Sequence, residues 1–508
     1  MKEKKKNSLY KYLQKDIKDF NKYILSLVCI GILVGAGLLS YYVTSSYALF
    51  SDTIMGTKTI EGTVKLKNLD TSGANEPVLD DAMIPVYYDS ENDIWRKADE
   101  NNSNKNYKWY DYDSKMWANS VTVSSTNRSK YLSADKGTEI SMDDILTMQV
   151  WIPRYKYKVW NYNADGTVSS SEQQIEITFE KGTSKTGDIT CQDTISGTDG
   201  SPSETCKVSN NTCTDSTCNN KTYTHPAFTF GDKEITGFWI GKFELTGTIS
   251  NITVKPNLSS LRSQTVSSFE TNIMNMKNSG NQYGLSTSTD THMIKNSEWG
   301  AVAYIAHSKY GLCTNGTCNE IGINNNSNYT TGCGAVAGSS DSATCNVYNT
   351  ENGMLSSTTK NVYGIYDMSG SAWEYTMANM ISPDGKTMMS GSSSSFNSGY
   401  TGKISNSSGN YVSYTGIDYP SSEYYDEYSY NENFDSIKLS KLGDGIKEVF
   451  VKRSYGWYDD FLSVLGSGYS WFSRGGLYYD SDGAGLYYSI GSMGSAGDDI
   501  SSRLIITP

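Results

Sequence analysis

Three kinds of side chain in this sequence can do chemistry, and their spacing limits what that chemistry is. Thiols come first. Cys191, Cys206, Cys213, Cys218, Cys313, Cys318, Cys333 and Cys345 fall in two tight clusters, 191–218 and 313–345, each set in Ser, Thr, Asn and Gly. Outside residues 23–43, which hold the ninth cysteine, Cys29, the number is even, and in the extracytoplasmic setting that the N-terminus implies it reads as disulfides paired locally within each cluster. Zinc is the competing chemistry, but both close pairs are C-x4-C without a neighbouring His, and the usual C-x2-C knuckle is missing. Imidazole is the second kind. His225, His292 and His307 are scattered along the chain and read as ordinary polar or core residues, so no metal or cofactor is expected. Structural calcium in loop carboxylates stays open, although no D-x-D-x-D-G spacing occurs.

The third kind is concentrated at the C-terminus. Tyr478, Tyr479, Tyr487 and Tyr488 stand among Asp480, Ser481, Asp482, Ser489, Ser492, Ser495, Asp498 and Asp499, with Tyr458, Asp459 and Asp460 upstream. Tyrosine brings a large amphipathic contact area with few rotors to freeze, and Ser, Gly and Asp add adaptable polar contacts. Such an alphabet suits binding, whereas Ala484, Gly485 and Leu486 read as frame. Lys, Glu, Gln, Met and Trp make up 90 of 508 residues, so about five are expected in the 29 residues Gly475–Arg503, and only Met493 occurs. These are the amino acids that codons ending in a pyrimidine cannot encode. The competing reading is a merely exposed, tolerant Gly/Ser/Tyr-rich loop.

The elements that must position these residues begin with a membrane segment. Residues 1–22 carry eight Lys against Glu3, Asp16 and Asp19, and residues 23–43 are 21 residues without a charge, enough to span a hydrocarbon core. The positive-inside bias places the tail in the cytoplasm and the rest outside. Ser46-Tyr47-Ala48 also fits a cleavage site, which would make the segment a signal peptide and the mature chain secreted. With a formal charge of −12, and the basic tail excluded, the outer part repels phosphate backbones, which argues against nucleic acid as a partner.

Residues 53–145 are expected to form a stalk and a small β-rich module, with a turn at Thr71-Ser72-Gly73 and aromatic cross-strand pairs from Trp95, Trp109 and Trp117. A short helix is expected to open at Ser141-Met142-Asp143-Asp144. A new domain, 148–508, is expected to start with the alternating strand MQVWIPRYKYKVW, followed by a strand at 235–245 and two amphipathic helices within 259–276 and 296–307. Overall the fold class is α+β, loop-rich, with two short helices.

Motifs in this second domain carry a resemblance. Gly237–Thr246 (GFWIGKFELT), Ser297–Tyr304 (SEWGAVAY), Tyr363–Tyr375 (YGIYDMSGSAWEY), Trp471–Gly476 (WFSRGG) and Ser502-Arg503-Leu504 occur in that order. The order resembles that of the formylglycine-generating enzyme or sulfatase-modifying branch of the C-type lectin fold. The resemblance implies that fold over roughly 148–508, with Tyr366, Asp367, Gly370, Trp373, Glu374, Arg474, Gly475, Gly476 and Arg503 as its structural motif. The enzymes of that branch use two copper-binding cysteines shortly after Arg-Gly-Gly. Here Leu477–Gly485 contains none, which argues against the enzyme. Arg-Gly-Gly followed by a C-terminal segment of biased composition is similar to target proteins of diversity-generating retroelements. The resemblance therefore implies a displayed receptor or adhesin for an extracellular protein or glycan. Two alternatives are an oxidase of the same fold and, from the resemblance of SYALFSDT to secreted biofilm-fibre proteins, a fibre subunit.

Overall fold

Nine residues of alternating character, Ile145–Pro153, form the central strand of a seven-stranded sheet. The strand order is 290–293, 504–507, 237–241, 145–153, 119–123, 84–89, 94–97, and every pairing is antiparallel. In the central strand only Leu146 is not fully buried, as expected of a strand covered on both faces. The computed structural model describes residues 67–162, 171–196, 201–208, 211–213, 216–381, 395–396, 417–429, 440–452, 454–463, 465 and 469–508. The basic tail 1–22, the segment 23–43 and the site near Ala48 lie outside the described residues. Among the described residues no helix is long and apolar enough to cross a membrane.

The boundary expected near Met148 is not a structural break. Strands Ile84–Asp89 and Asn119–Val123 belong to the same sheet as Ile145–Pro153, and Leu69–Pro508 forms one compact unit. The aromatic residues of the expected small module instead feed the common core. Trp109 stacks on Trp239 at 6.2 Å, Trp95 meets Tyr363 edge-on at 6.1 Å, and the Trp117 indole donates to the Tyr310 carbonyl at 2.8 Å. Nor is 69–79 a stalk. Asn75 donates to the carbonyls of Glu180 and Thr236 at 2.9 Å, and Trp239 donates to the Val78 carbonyl at 2.6 Å.

Among the described residues there are three α-helices: α1 (Ser125–Ser133), α2 (Val266–Met274) and α3 (Asn296–Ala306). The latter two lie where the sequence periodicity places them. The expected helix at Ser141 is a turn instead, because the Asp144 carboxylate accepts from Asn127 and Tyr131 of α1, both at 2.6 Å, and so anchors the helix that the sequence reading missed. The fold class is thus α+β, rich in strand and loop.

A second sheet orders 177–179, 155–158, 222–224, 189–196, 201–208 and 211–213. The first cysteine cluster is therefore largely paired strand rather than insertion loop, with Cys191 opposite Cys206 and Cys206 opposite Cys213 in backbone register. In the second cluster the local pairs Cys313–Cys318 and Cys333–Cys345 are formed. A third sheet carries the C-terminus: 426–429, 373–381, 471–475 and 485–492 in order, with 500–502 added to 373–381.

Candidate ligand-binding face

The C-terminal loop is held by a buried polar frame. Arg503 meets Glu374 through two contacts, Nε to Oε2 at 2.9 Å and Nη2 to Oε1 at 2.5 Å, and its remaining donors reach the carbonyls of Gly241 and Tyr366. Asp367, at φ 62°, accepts from Asn324 at 2.8 Å and from the Gly332 amide at 2.9 Å. Glu244 accepts from the Ala372 amide at 3.0 Å and the Ser371 hydroxyl at 3.2 Å. All four side chains are fully buried. Burial pushes Glu374 up to about 7 and Asp367 to about 6 although Arg503 pulls both down. Burial, reinforced by Glu374 and Asp367, pushes Glu244 well above the carboxylate range. Three carboxyls share one guanidinium, and Glu244 keeps its proton. Tyr366 donates to the Tyr348 carbonyl at 2.8 Å, and Gly370 abuts the Asn324 backbone.

The Arg-Gly-Gly turn launches the loop. Arg474 is buried against the Trp299 ring and donates to Asn296 at 3.1 Å and to the Gly445 carbonyl at 3.3 Å. Gly475 and Gly476 follow at φ 85° and 81°, and a Cβ on Gly476 would lie 2.7 Å from that of Ala484. The left-handed turn at this closeness requires glycine. The loop is then fixed by the Tyr478 amide on the Ser371 carbonyl at 2.9 Å, the Leu477 amide on Asp480 at 2.8 Å, and the Phe461 amide on the Gly483 carbonyl at 3.0 Å.

What projects from this frame is an aromatic and acidic face. Tyr479 is 52% exposed, and Tyr478 packs edge-on against both Tyr479 and Tyr329, each at 4.9 Å. The Arg262 guanidinium lies over the Tyr329 ring at 3.9 Å and also donates to the Asp498 carbonyl. Asp482 and Asp498 are exposed, and Asp480, Ser481 and Asp499 are partly so. Asp482 rests over Gly338, where a Cβ would leave it no room. Glu320 joins this face to the neighbouring Tyr458 and Asp459: burial, with Asp482 and Asp459 nearby, raises it to about 7. Asp459 is exposed and pairs with Lys452 at 3.0 Å.

Not every residue expected on the face lies there. Asp460 and Tyr487 are each 1% exposed, and Tyr488 and Ser489 are also buried. Asp460 accepts from the Tyr487 amide at 2.8 Å, Tyr488 accepts from the half-buried Trp373 indole at 3.0 Å, and Ser489 donates to the Ser463 carbonyl at 3.1 Å. The cause is the strand 485–492, which is inserted beside 471–475 and covered on both faces, so that Tyr487, Tyr488 and Ser489 are all enclosed, while Asp460 packs against its backbone. Ser492 and Ser495 are partly exposed but both engage the Tyr375 hydroxyl, Ser492 through its own hydroxyl and Ser495 through its carbonyl. Conversely, Tyr329 and Arg262 were not anticipated. Tyr329 sits between cysteines in a stretch read as an insertion, and its only signal was an isolated tyrosine in a polar loop.

The copper implied by the resemblance does not fit here, because Leu477–Gly485 offers no thiol. The chain matches no protein-family model and none of the curated proteins.

Proposed function

We propose that this chain is a membrane-tethered, outward-facing ligand-binding protein of the C-type lectin fold, in its sulfatase-modifying-like branch, with a C-terminal face of variable composition. Residues 23–43 supply the tether in this reading. The observation that carries it is the edge-on row Tyr329–Tyr478–Tyr479, in which Tyr478 and Tyr479 stand on a loop launched from a fully buried polar frame and Tyr329 meets them from the segment 313–345. Rigid aromatic anchors on a preorganised loop lose little entropy on binding.

Two further features support binding at this face. Tyr458, Asp459 and Ser481 all hold left-handed backbone, φ 60°, 63° and 50°, the kind of local strain that gathers at ligand contacts. The surrounding Asp480, Asp482, Asp498 and Asp499 make the face acidic, which favours a partner carrying basic or hydrogen-bond-donating groups, such as a basic protein surface or a polyhydroxylated glycan.

The test is a screen of the displayed full chain against glycan and surface-protein arrays, alongside the triple variant Tyr329→Ala/Tyr478→Ala/Tyr479→Ala and the distant control Lys233→Ala. The reading requires that ligands captured by the wild type and the control be lost by the triple variant. Capture that is indifferent to all three tyrosines would sink it.

A further inference from the structure

Helix α3 ends at His307, whose amide still bonds to the Ala303 carbonyl at 2.9 Å. The chain then folds back on the helix end. The Leu312 amide bonds to the Ala306 carbonyl at 2.6 Å and the Cys313 amide to the Ser308 carbonyl at 3.1 Å. Here the two-residue strands Cys313–Thr314 and Thr317–Cys318 form a tight hairpin around Asn315 and Gly316, at φ 52° and 82°. Positive φ at both central residues is the turn that Asn-Gly favours, and it places Cys313 directly opposite Cys318. The backbone therefore keeps the two sulfurs adjacent whether or not they are bonded to one another.

A ring nitrogen of His307 and the Sγ atoms of Cys313 and Cys318 all lie within 4.8 Å of one another. His307 is fully buried. Its Nε2 is 3.4 Å from the Tyr458 hydroxyl, and its Nδ1 has no hydrogen-bond partner, a cost the fold bears without a structural return. C-x4-C spacing and the absence of a neighbouring His in the sequence speak against zinc. Hairpin register removes the first objection, and the return of the chain to the helix end removes the second.

We propose that His307, Cys313 and Cys318 form a redox-gated site for a soft divalent cation, zinc being the best match: closed as the disulfide, open when it is reduced. Cys318 is partly exposed, so a dithiol can reach it. The dithiol supplies two electrons and two protons, the S–S bond breaks to two thiols, and the dithiol leaves as its own disulfide. Zinc then displaces the two thiol protons, both sulfurs bind as thiolates, the imidazole is the third ligand, and a fourth position stays open to water. Lys115, which donates to the Cys313 carbonyl at 2.9 Å and the Thr314 hydroxyl at 3.0 Å, places positive charge beside the pair that becomes anionic.

The experiment reduces the full chain with a dithiol, desalts it under argon and titrates it with cobalt(II), followed by displacement with zinc. Wild type is expected to bind one ion more per chain than Cys313→Ser/Cys318→Ser, with a thiolate-to-cobalt charge-transfer band in the difference spectrum. Cys333→Ser/Cys345→Ser should bind that ion as the wild type does, and the unreduced chain should not bind it. His307→Ala should weaken it by about 10- to 100-fold or more. Should that variant fail to fold, the zinc X-ray absorption difference between wild type and Cys313→Ser/Cys318→Ser reads the ligand set directly, as two sulfurs and one imidazole. Equal stoichiometry in wild type and Cys313→Ser/Cys318→Ser, or a ligand shell without imidazole, overturns the site.

Discussion

Arg503, at the break between strands 500–502 and 504–507, and Glu374, in strand 373–381, meet side by side through two hydrogen bonds of 2.9 and 2.5 Å, both fully buried. Removing the guanidinium strips the Glu374 carboxyl and the Gly241 and Tyr366 carbonyls of their buried donors, and removing the carboxylate deprives Arg503 of its two-point partner; breaking such a buried pair costs about 3–5 kcal/mol. Arg503→Met and Glu374→Gln should each lower the denaturant midpoint accordingly. Glu244→Gln should cost much less, because Glu244 already holds its proton. Equal losses for Glu244→Gln and Glu374→Gln would contradict this division of roles.

Glu448 supplies a pH prediction. It accepts from Tyr157 at 2.5 Å and Tyr304 at 2.6 Å, and burial raises it to about 8. The folded state therefore keeps a proton that the unfolded chain releases near its ordinary value of 4.5. This contribution to stability is full below that value and is lost as pH rises through about 8. Glu448→Gln removes the titration, so the stability difference between wild type and variant should shift against the wild type between pH 5 and pH 9. Melting curves whose difference is flat over that range would refute it.

Face and frame should separate in stability measurements. Tyr479→Ala, at an exposed position, should change stability by no more than about 0.5 kcal/mol. Tyr487→Ala empties a site packed against His307 and Trp457 and should cost about 3–5 kcal/mol. Similar costs for the two would place the boundary between face and frame wrongly.

Gly476→Ala adds a Cβ in left-handed backbone, 2.7 Å from Ala484. A loss of about 1–3 kcal/mol is expected, together with loss of any ligand that depends on Tyr478 and Tyr479, since the turn aims their loop. A variant with unchanged melting and unchanged binding would show that the turn does not set the loop.

These predictions also mark where the sequence was legible. Periodicity located α2 and α3, and clustering pointed to local disulfide pairing, which the second cluster shows as Cys313–Cys318 and Cys333–Cys345, while which cysteine joins which was not legible. It failed where long-range pairing decides. Nothing local in Ile84–Asp89 says that it joins a sheet completed by residues 504–507, so one compact unit was read as two. Composition likewise marked Tyr478 and Tyr487 as equivalent. Only the pairing of 485–492 with 471–475 buries one and leaves the other at the surface. The contact of Arg262 with Tyr329, 67 residues apart in sequence, had no local signature.

The most direct test of a variable binding face on a fixed frame is deep sequencing of the codons for residues 455–508 across a clonal lineage, with a search for a neighbouring near-copy of that segment. The account predicts substitutions at Tyr458, Asp459, Tyr478, Tyr479, Asp480, Ser481, Asp482, Asp498 and Asp499. It predicts none at the buried Asp460, Arg474, Tyr487, Tyr488 and Ser489. A uniform segment without a template copy, or substitutions as frequent at the buried positions as at the exposed ones, would contradict it.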